Sequence, residues 1–390
     1  MSGSDRASQV REAVEALKAS GLLAATVPAR LGGDGLPASV IAEVFRILAS
    51  GDGSLGQVPQ SHMTFSRWLF TGTHPQEERR WADILLDGAL IANAQVDREP
   101  TVLEGHRLSG RKVFCTGSAY ADILAVTARR TTGGSTSDGP KEPEVSEVSE
   151  MSEVSEVVVF LPVDTPGVRV LDDWSALGQE YTASGTVVLD DVHVPDTAVR
   201  TMGHLGSESS EASADSADSA GGVNSSGPTT APPAYGAFAQ LLHTAVDVGV
   251  SGAALSSALG IAHTDDPDPL TSHLAGDLVA RQFAAEAALE KAGRSVDAAW
   301  ASPDDPRTAT AASLDVAAAK ATTGALTVDL ASRVFELTGT RGATGPVGPD
   351  LARHWRDLRT HTLHDRHREK LAVLGHAALT GRAPVPGRKL

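Results

Sequence analysis

Cysteine and aromatic residues are scarce in this 390-residue sequence. The single cysteine, Cys115, excludes an internal disulfide and favours a reducing compartment. The first residues lead into an amphipathic pattern without the apolar core of a signal peptide, and we expect no apolar run long enough to cross a membrane. These absences predict a soluble, cytoplasmic protein without a membrane partner.

Positive charge is also in short supply, with 33 Lys and Arg against 49 Asp and Glu and a formal net charge of −16. Two low-complexity segments, residues 138–156 and 206–233, contribute a net −10 of this charge. The remaining sequence shows no basic patch, which argues against a nucleic-acid partner. Because both acidic stretches lack the apolar surface that offsets ordering entropy, we expect a disordered insert at 131–156 and a disordered linker at 201–233.

Hydrophobic periodicity divides the rest of the chain into three parts. Residues 1–88 have helical spacing, and residues 89–200 contain short β-rich runs separated by Gly, Pro and Asp. Residues 234–390 are rich in Ala with helical spacing. Four long helices are predicted there, at 235–259, 270–300, 306–338 and 350–379. The sequence therefore predicts an α+β protein with an N-terminal helical domain, a small antiparallel β-barrel or sandwich, and a C-terminal four-helix bundle.

The segment near the C-terminus has the most distinctive pattern. If this segment is one helix, the i, i+3, i+4, i+7 spacing places five polar residues on the same face. They are His354, His361, His364, Asp365 and Arg368. Because imidazole changes its charge near neutral pH, such a face suits the handling of protons. Two other interpretations stay open: an ordinary solvated surface, and a metal cluster, for which no Cys or Glu-x-x-His motif gives support. We expect no metal.

Within this segment, residues 355–365 read Trp-Arg-Asp-Leu-Arg-Thr-His-Thr-Leu-His-Asp. This resembles the C-terminal signature of flavin-dependent monooxygenases built on the acyl-CoA dehydrogenase fold, in particular the dibenzothiophene monooxygenases and the sulfur-acquisition oxidoreductases. The resemblance covers most of the chain outside the two acidic stretches, and it implies the same order of helical domain, β-barrel and four-helix bundle.

The resemblance also implies an activity. A separate NAD(P)H-dependent flavin reductase would supply reduced FMN, with FAD as a possible replacement. The protein would then react with O2 through a flavin C4a-hydroperoxide and oxygenate a small sulfur- or nitrogen-containing substrate in a dry cavity. The bundle helices and Arg341 also predict a homotetramer, or at least a dimer, with flavin sites near subunit contacts.

Site residues follow from the same resemblance. His361 and His364 would manage protons, and His62 matches a histidine of the substrate cavity. The segment around Cys115 resembles the family's flavin-facing strand end, and alternation along 90–96 places Asn93 and Gln95 on one side of a strand. The full set of implied flavin contacts is Asn93, Gln95, Phe114, Thr116, Trp174, Thr182, Ser184, Arg341 and Asp365.

Two departures from the family keep alternatives open. Arg366 stands where relatives have Pro, and no arginine appears around 260–264, where relatives place one near the flavin phosphate. One alternative is an acyl-CoA dehydrogenase with bound FAD, in which Asp365 would be the base. The other is a non-catalytic protein that retains the fold.

Overall fold

The computed structural model describes residues 3–131, 154–201, 234–345, 347–364 and 367–382, together with Pro232 and Pro384. The chain divides into two compact units. One, the helical unit, comprises Met1–Leu90, Ser175–Thr182 and Gly203–Leu390; the other, the β unit, comprises Ile91–Trp174 and Ala183–Met202.

In the described part of the helical unit, five α-helices come from the N-terminal part of the chain and six from the C-terminal part. The first five are α1 (Gly3–Ala19), α2 (Ala38–Gly51), α3 (Gly53–Gln57), α4 (Gln60–Leu69) and α5 (Pro75–Leu86). The other six are α6 (Tyr235–Ala262), α7 (Pro269–Ala301), α8 (Pro306–Thr338), α9 (Thr340–Ala343), α10 (Val347–His361) and α11 (His367–Thr380). Buried apolar side chains such as Val14, Phe45 and Leu241 form its core.

The starts of α7 and α8 follow from two Asp-Pro pairs in the sequence. Asp268 and Asp305 cap the helices by accepting hydrogen bonds from backbone N–H groups of the first turn. The proline that follows each aspartate needs no N–H partner and has the φ that a first helical residue requires. The predicted helix at 306–338 is therefore confirmed in its bounds.

One expectation about apolar runs was wrong. Helix α6 is long and apolar enough to cross a membrane by length and composition, although more than half of its most apolar window is buried inside the unit. It packs against α2, α7, α8 and α10. Its apolar character therefore matches that of a central bundle helix, which is surrounded by other helices.

The described residues of the β unit form one sheet of eight strands. They are β1 (Ile91–Ala94), β2 (Val96–Glu104), β3 (Arg107–Val113), β4 (Ile123–Thr131), β5 (Val154–Pro162), β6 (Val168–Val170), β7 (Val187–His193) and β8 (Val199–Thr201). The strand order is β6-β7-β3-β2-β4-β5-β8, and β1 pairs with β4. Leu103, Leu124 and Val159 are among the buried residues of its core.

The sheet corrects the prediction of an antiparallel barrel. Strands β1 and β2 both run parallel to β4, whereas the other pairs are antiparallel, and the path of paired strands stays open between β6 and β8 among the described residues. β1 and β2 are consecutive and pair with successive parts of β4. The alternating pattern of a strand fixes which face is buried but not the direction of its partner.

The two predicted disordered stretches lie mostly outside the described residues. Their ends, however, belong to strands. Thr131 closes β4, residues 154–156 open β5 opposite it, and Thr201 closes β8. The predicted boundaries therefore extended a few residues too far into the sheet.

Candidate active site

Helix α10 ends earlier than the sequence pattern indicated. The predicted single helix at 350–379 is two helices, and α10 stops at His361. The N–H of His364 donates to the carbonyl of His361 at 3.1 Å, three residues back rather than four, so the chain leaves the helix in a tight turn. His354 and His361 are buried on α10, whereas His364 is exposed. The prediction that all three share one helical face was wrong for His364.

His361 is the centre of a buried network. Its Nδ1 lies 2.6 Å from Oδ1 of Asp247, and its Nε2 lies 2.9 Å from Oε1 of Gln57 and 3.1 Å from Nδ1 of His243. All of these side chains are less than a tenth exposed. Both nitrogens of the ring therefore have partners that fix its orientation.

Asp247 is fully buried and contacts two basic groups. Nζ of Lys320 donates to its Oδ2 at 3.0 Å, while Oδ1 faces His361. Burial alone would raise the pKa of the Asp247 carboxyl, but Lys320 and His361 outweigh burial and hold that pKa below its usual value. Asp247 is thus a carboxylate inside the helical unit.

His243 joins the network to the exposed His364. Burial, and secondarily the nearby His364, His361 and Lys320, push the pKa of His243 well below its ordinary value, so its ring is neutral at physiological pH. The His364 ring centroid lies 4.7 Å from that of His243, with the planes tilted by 34°. The three imidazoles therefore form a row from the buried network towards the surface of the unit.

His62 is in a different environment. It is fully buried in α4, and its Nε2 lies 2.7 Å from the carbonyl oxygen of Leu23. This contact holds the ring against the backbone of the N-terminal helices. A role of His62 in a substrate cavity stays a prediction.

The segment 175–182 belongs to the helical unit and is held by hydrogen bonds to α10 and α3. The backbone N–H of Gln179 donates to Oδ1 of Asp357 at 2.6 Å, and the N–H of Tyr181 donates to Oγ of Ser54 at 3.3 Å. A Cβ on Gly178 would lie 2.3 Å from the backbone carbonyl group of Arg356, so only glycine allows this close approach.

Two titratable groups on α10 have perturbed pKa values beside this segment. Burial raises the pKa of the Asp357 carboxyl from 3.8 to about 6, although the N–H of Gln179 acts in the opposite direction. Burial, followed by the positive charges of Arg353 and Arg6, lowers the pKa of His354 from 6.5 to about 4. His354 is therefore neutral near pH 7.

Several predicted flavin contacts lie together in the β unit. Oγ1 of Thr116 and Oγ of Ser184 are 2.9 Å apart, and the N–H of Cys115 donates to the carbonyl of Gly185 at 3.0 Å. The chain after β3 thus meets the chain before β7. Burial raises the pKa of the Cys115 thiol to about 12, which leaves it an unreactive buried group.

Phe114 and Trp174 also meet in the β unit. Their rings are edge to face, with centroids 6.3 Å apart and planes at 83°. Phe114 is 56% exposed and has φ of 55°, a left-handed conformation that is rare for an aromatic residue. Strained, exposed positions of this kind are frequent at ligand sites.

Asn93 and Gln95 do not share one strand face as alternation predicted. Asn93 lies in β1, but Gln95 falls in the break between β1 and β2, where its side chain is exposed and its carbonyl accepts from Thr127 at 3.0 Å. The Oδ1 atom of Asn93 is buried and has no hydrogen-bond partner among the described residues. Buried acceptors normally have a partner, so Asn93 is a candidate ligand contact.

The remaining predicted contacts are scattered. Thr182 is buried, and its hydroxyl donates to the carbonyl of Gln179 at 2.9 Å. Arg341 is exposed on the short helix α9 rather than on a loop. Asp365 lies outside the described residues.

Four members of the His361 network were missed by sequence reasoning: Gln57, His243, Asp247 and Lys320. Two of them carry a local signal, because His243 and Asp247 are ionisable residues spaced i, i+4 within α6, which has no other ionisable residue except Tyr235. Lys320 lies 73 residues after Asp247, and no local pattern relates them. Among the described residues, no group of three or more His, Cys, Asp or Glu could hold a metal ion.

Comparison with known proteins defines the class of fold. The family model for the acyl-CoA dehydrogenase C-terminal domain matches residues 241–369, which include Asp247, Lys320 and His361. The crystal structure of TdsC from Paenibacillus sp. A11-2 with FMN and indole is similar, with a TM-score of 0.79, 23% identity, and 98% of this chain and 96% of that chain covered. The fold is that of the acyl-CoA dehydrogenases.

Curated relatives narrow the class further. A dibenzothiophene monooxygenase of Mycolicibacterium goodii is 30% identical over 96% of this chain and 88% of its own length. A probable FMNH2-dependent monooxygenase, SfnC, of Pseudomonas putida is 25% identical over 98% of this chain and 91% of its own length. The chain belongs to the family of flavin-dependent monooxygenases that have the acyl-CoA dehydrogenase fold.

Proposed function

We propose that this protein is the oxygenase of a two-component system. It takes reduced FMN from a separate NAD(P)H-dependent flavin reductase and transfers one atom of O2 to a small sulfur-containing substrate, with nitrogen-containing compounds as the second class. The names of the relatives support reduced FMN and sulfur compounds. The observation that carries the proposal is the buried His361 network, which suits proton handling away from water.

The chemistry of the network supports this role. Because the Asp247 carboxylate can only accept, Nδ1 of His361 carries a hydrogen, and Nε2 is the nitrogen through which the ring can exchange a proton. Neutral His243 contacts that Nε2 atom at 3.1 Å. The exposed His364 beside His243 offers a route by which protons exchange with solvent. His361 thus acts as the buried proton donor and acceptor, and His364 connects it to the surface.

The residues of the β unit fit an aromatic, hydrogen-bonding cofactor. The exposed face of Phe114 and the edge of Trp174 offer apolar surface for a flat ring. Polar contacts are offered by the hydroxyls of Thr116 and Ser184 and by Oδ1 of Asn93, which has no hydrogen-bond partner in the part of the chain that the structure describes. Bound reduced FMN would supply the activation of O2. Gln95, Thr182, Arg341 and Asp365 are further proposed contacts, which rest on the family resemblance alone.

The assembly and location are also proposed. A homotetramer is consistent with exposed apolar side chains on α7, where Leu270 is 81% and Phe283 71% exposed. Light scattering at micromolar concentration tests it, and a monomer that binds reduced FMN fully would contradict it. A cytoplasmic location is consistent with the single, buried cysteine.

Anaerobic titration tests the cofactor and the reaction. Reduced FMN should bind more tightly than reduced FAD, and mixing with O2 and a panel of aryl and alkyl sulfur compounds should give oxygenated product. His361→Ala should still bind reduced FMN but form less product by about 10²–10⁴-fold, the usual contribution of a general acid or base, and release more hydrogen peroxide. His376→Ala is the matched control, because His376 is exposed on α11.

Two outcomes would contradict the proposal. Bleaching of bound oxidised flavin by an acyl-CoA without any reductase would identify an acyl-CoA dehydrogenase. Failure to bind any reduced flavin would support the non-catalytic alternative.

A further inference from the structure

We infer that Asp247 and Lys320 are positioning residues that set the tautomer of His361, an inference that rests on the proposed proton-handling role of that histidine. The chain of contacts is continuous: Lys320 Nζ to Asp247 Oδ2 at 3.0 Å, then Asp247 Oδ1 to His361 Nδ1 at 2.6 Å. No residue of this chain of contacts is on the surface, since Asp247 is 0% and Lys320 4% exposed.

The carboxylate fixes where the first proton of the ring lies. An ionised Asp247 has no hydrogen to donate, so the bond to Nδ1 requires the hydrogen to be on the ring. A neutral His361 then has its lone pair on Nε2, and this nitrogen is turned away from Asp247 towards Gln57 and His243. The orientation of the basic nitrogen is thus determined by a residue that lies behind the ring.

Lys320 determines the charge that the ring experiences. A buried charge is stable only when it is paired, so the Asp247 carboxylate needs a cation. The ammonium of Lys320 neutralises Asp247 through its other oxygen. The ring of His361 therefore contacts an ion pair and not a lone carboxylate.

The partners of Nε2 suit both protonation states. When Nε2 is unprotonated, Nδ1–H of the neutral His243 can donate to it at 3.1 Å. When Nε2 is protonated, Oε1 of Gln57 accepts at 2.9 Å. The amide of Gln57 can also present its nitrogen instead of its oxygen, since the two orientations have the same shape. His361 can thus exchange a proton while its ring stays in place.

A purely structural ion pair would behave differently. A buried pair that serves stability alone can be replaced by apolar residues of similar volume with little loss. A pair that positions His361 cannot, because its replacement leaves Nδ1 without the acceptor that selects the tautomer. Function and stability should therefore respond separately to the same substitutions.

A double-mutant cycle provides the first test. Asp247→Asn, His361→Ala and the double variant are compared in the oxidation of bound reduced FMN by O2 and in product per flavin oxidised. Asp247→Asn alone should lower product formation by at least about 10-fold, in line with residues that orient an active imidazole. In the His361→Ala background, adding Asp247→Asn should change product formation little, because Asp247 acts through His361. If the fold-losses of the two single variants multiply in the double variant, the two residues act independently and the inference is overturned.

A spectroscopic test is independent of turnover. Nitrogen-15 spectra of histidine-labelled protein without flavin, with His361→Ala used for assignment, report which ring nitrogen carries hydrogen. The wild type should show a neutral ring protonated on Nδ1, and Asp247→Asn should redistribute the hydrogen between the two nitrogens. An unchanged spectrum would overturn the inference. Asp277→Asn, which makes the same charge change in a surface ion pair on α7, is the matched control.

The design separates the two proposals and guards against misfolding. If the wild type oxygenates nothing, the proposed function fails, while the spectra still decide how His361 is positioned. If Asp247→Asn does not fold, Asp247→Leu/Lys320→Met replaces the whole pair by apolar side chains. That variant should keep its fold and show the same change of tautomer and the same loss of product. If it keeps the wild-type tautomer and the wild-type yield of product, the pair is only structural.

Discussion

Replacing Asp357 by asparagine should remove a pH-dependent loss of stability from the helical unit. Its carboxyl is 4% exposed, accepts the N–H of Gln179 at 2.6 Å, and lies 3.7 Å from Arg353. Burial raises its pKa from 3.8 to about 6, and the nearby arginine does not fully compensate. Asparagine keeps an oxygen that can accept from Gln179 but cannot ionise.

The sign follows from proton binding in the two states. Between pH 3.8 and about 6 the folded protein holds a proton on Asp357 that the unfolded chain has released. Stability therefore falls as pH rises through this window and stays lower above it. A shift of this size corresponds to about 3 kcal/mol. His354 acts in the opposite sense: its lowered folded pKa of about 4 makes stability rise with pH between about 4 and 6.5, so the two effects largely cancel in the wild type.

Urea unfolding of wild type and Asp357→Asn between about pH 4.5 and pH 7.5 provides the measurement. Tryptophan fluorescence follows the helical unit, because four of the five tryptophans belong to it. The free energy of unfolding of the variant, relative to that of the wild type, should increase by about 2 kcal/mol over this range, because about 1 of the 3 kcal/mol is already lost below pH 4.5. The contributions of other titrating groups, including His354, cancel because they are the same in the variant and the wild type. A difference that stays constant with pH would refute the reasoning.

Two further substitutions test close packing and buried charge. Gly178→Ala should destabilise the helical unit by about 1–3 kcal/mol, because the new Cβ meets the backbone of Arg356 at 2.3 Å. Gly260→Ala, whose Cβ meets nothing within 4 Å, should be neutral or stabilising, and equal effects of the two on thermal unfolding would contradict this account. Lys320→Met should destabilise by about 3–5 kcal/mol because it leaves the Asp247 carboxylate buried without its cation. Adding Asp247→Leu should recover most of that loss, and no recovery in urea unfolding would show that the cost lies in packing rather than charge.

The sequence predicts well those elements whose ends are marked by local chemistry. Helix α8 matches its predicted bounds because Asp305 and Pro306 mark its start and Gly339 its end. The turn after His361 was missed, because the spacing of His361 and His364 remains compatible with a helix. Where a helix stops without a capping signal, tertiary contacts decide, and spacing alone cannot show them.

Sequence reasoning identified only some residues of the candidate site, because tertiary contacts also decide the geometry there. His361 stands in a recognisable motif, and Thr116 and Ser184 were both predicted and lie 2.9 Å apart. Gln95 was assigned to the face of Asn93 because strict alternation was assumed across a break between two strands. Phe114 adopts a positive φ that no residue preference predicts for an aromatic side chain. Strand breaks and strained residues depend on what the rest of the fold imposes.

Helix α6 shows which residues of such a sequence carry information about function. Its composition would suit a membrane span, yet it contains His243 and Asp247, both buried. Neither side chain stabilises an apolar core by itself, and an isolated carboxylate there would be strongly unfavourable. Asp247 is tolerated because Lys320 and His361, on two other helices, complete its contacts. A polar residue that local rules exclude from a helix interior therefore predicts partners elsewhere in the chain, and here one of those partners is the histidine to which we assign proton transfer.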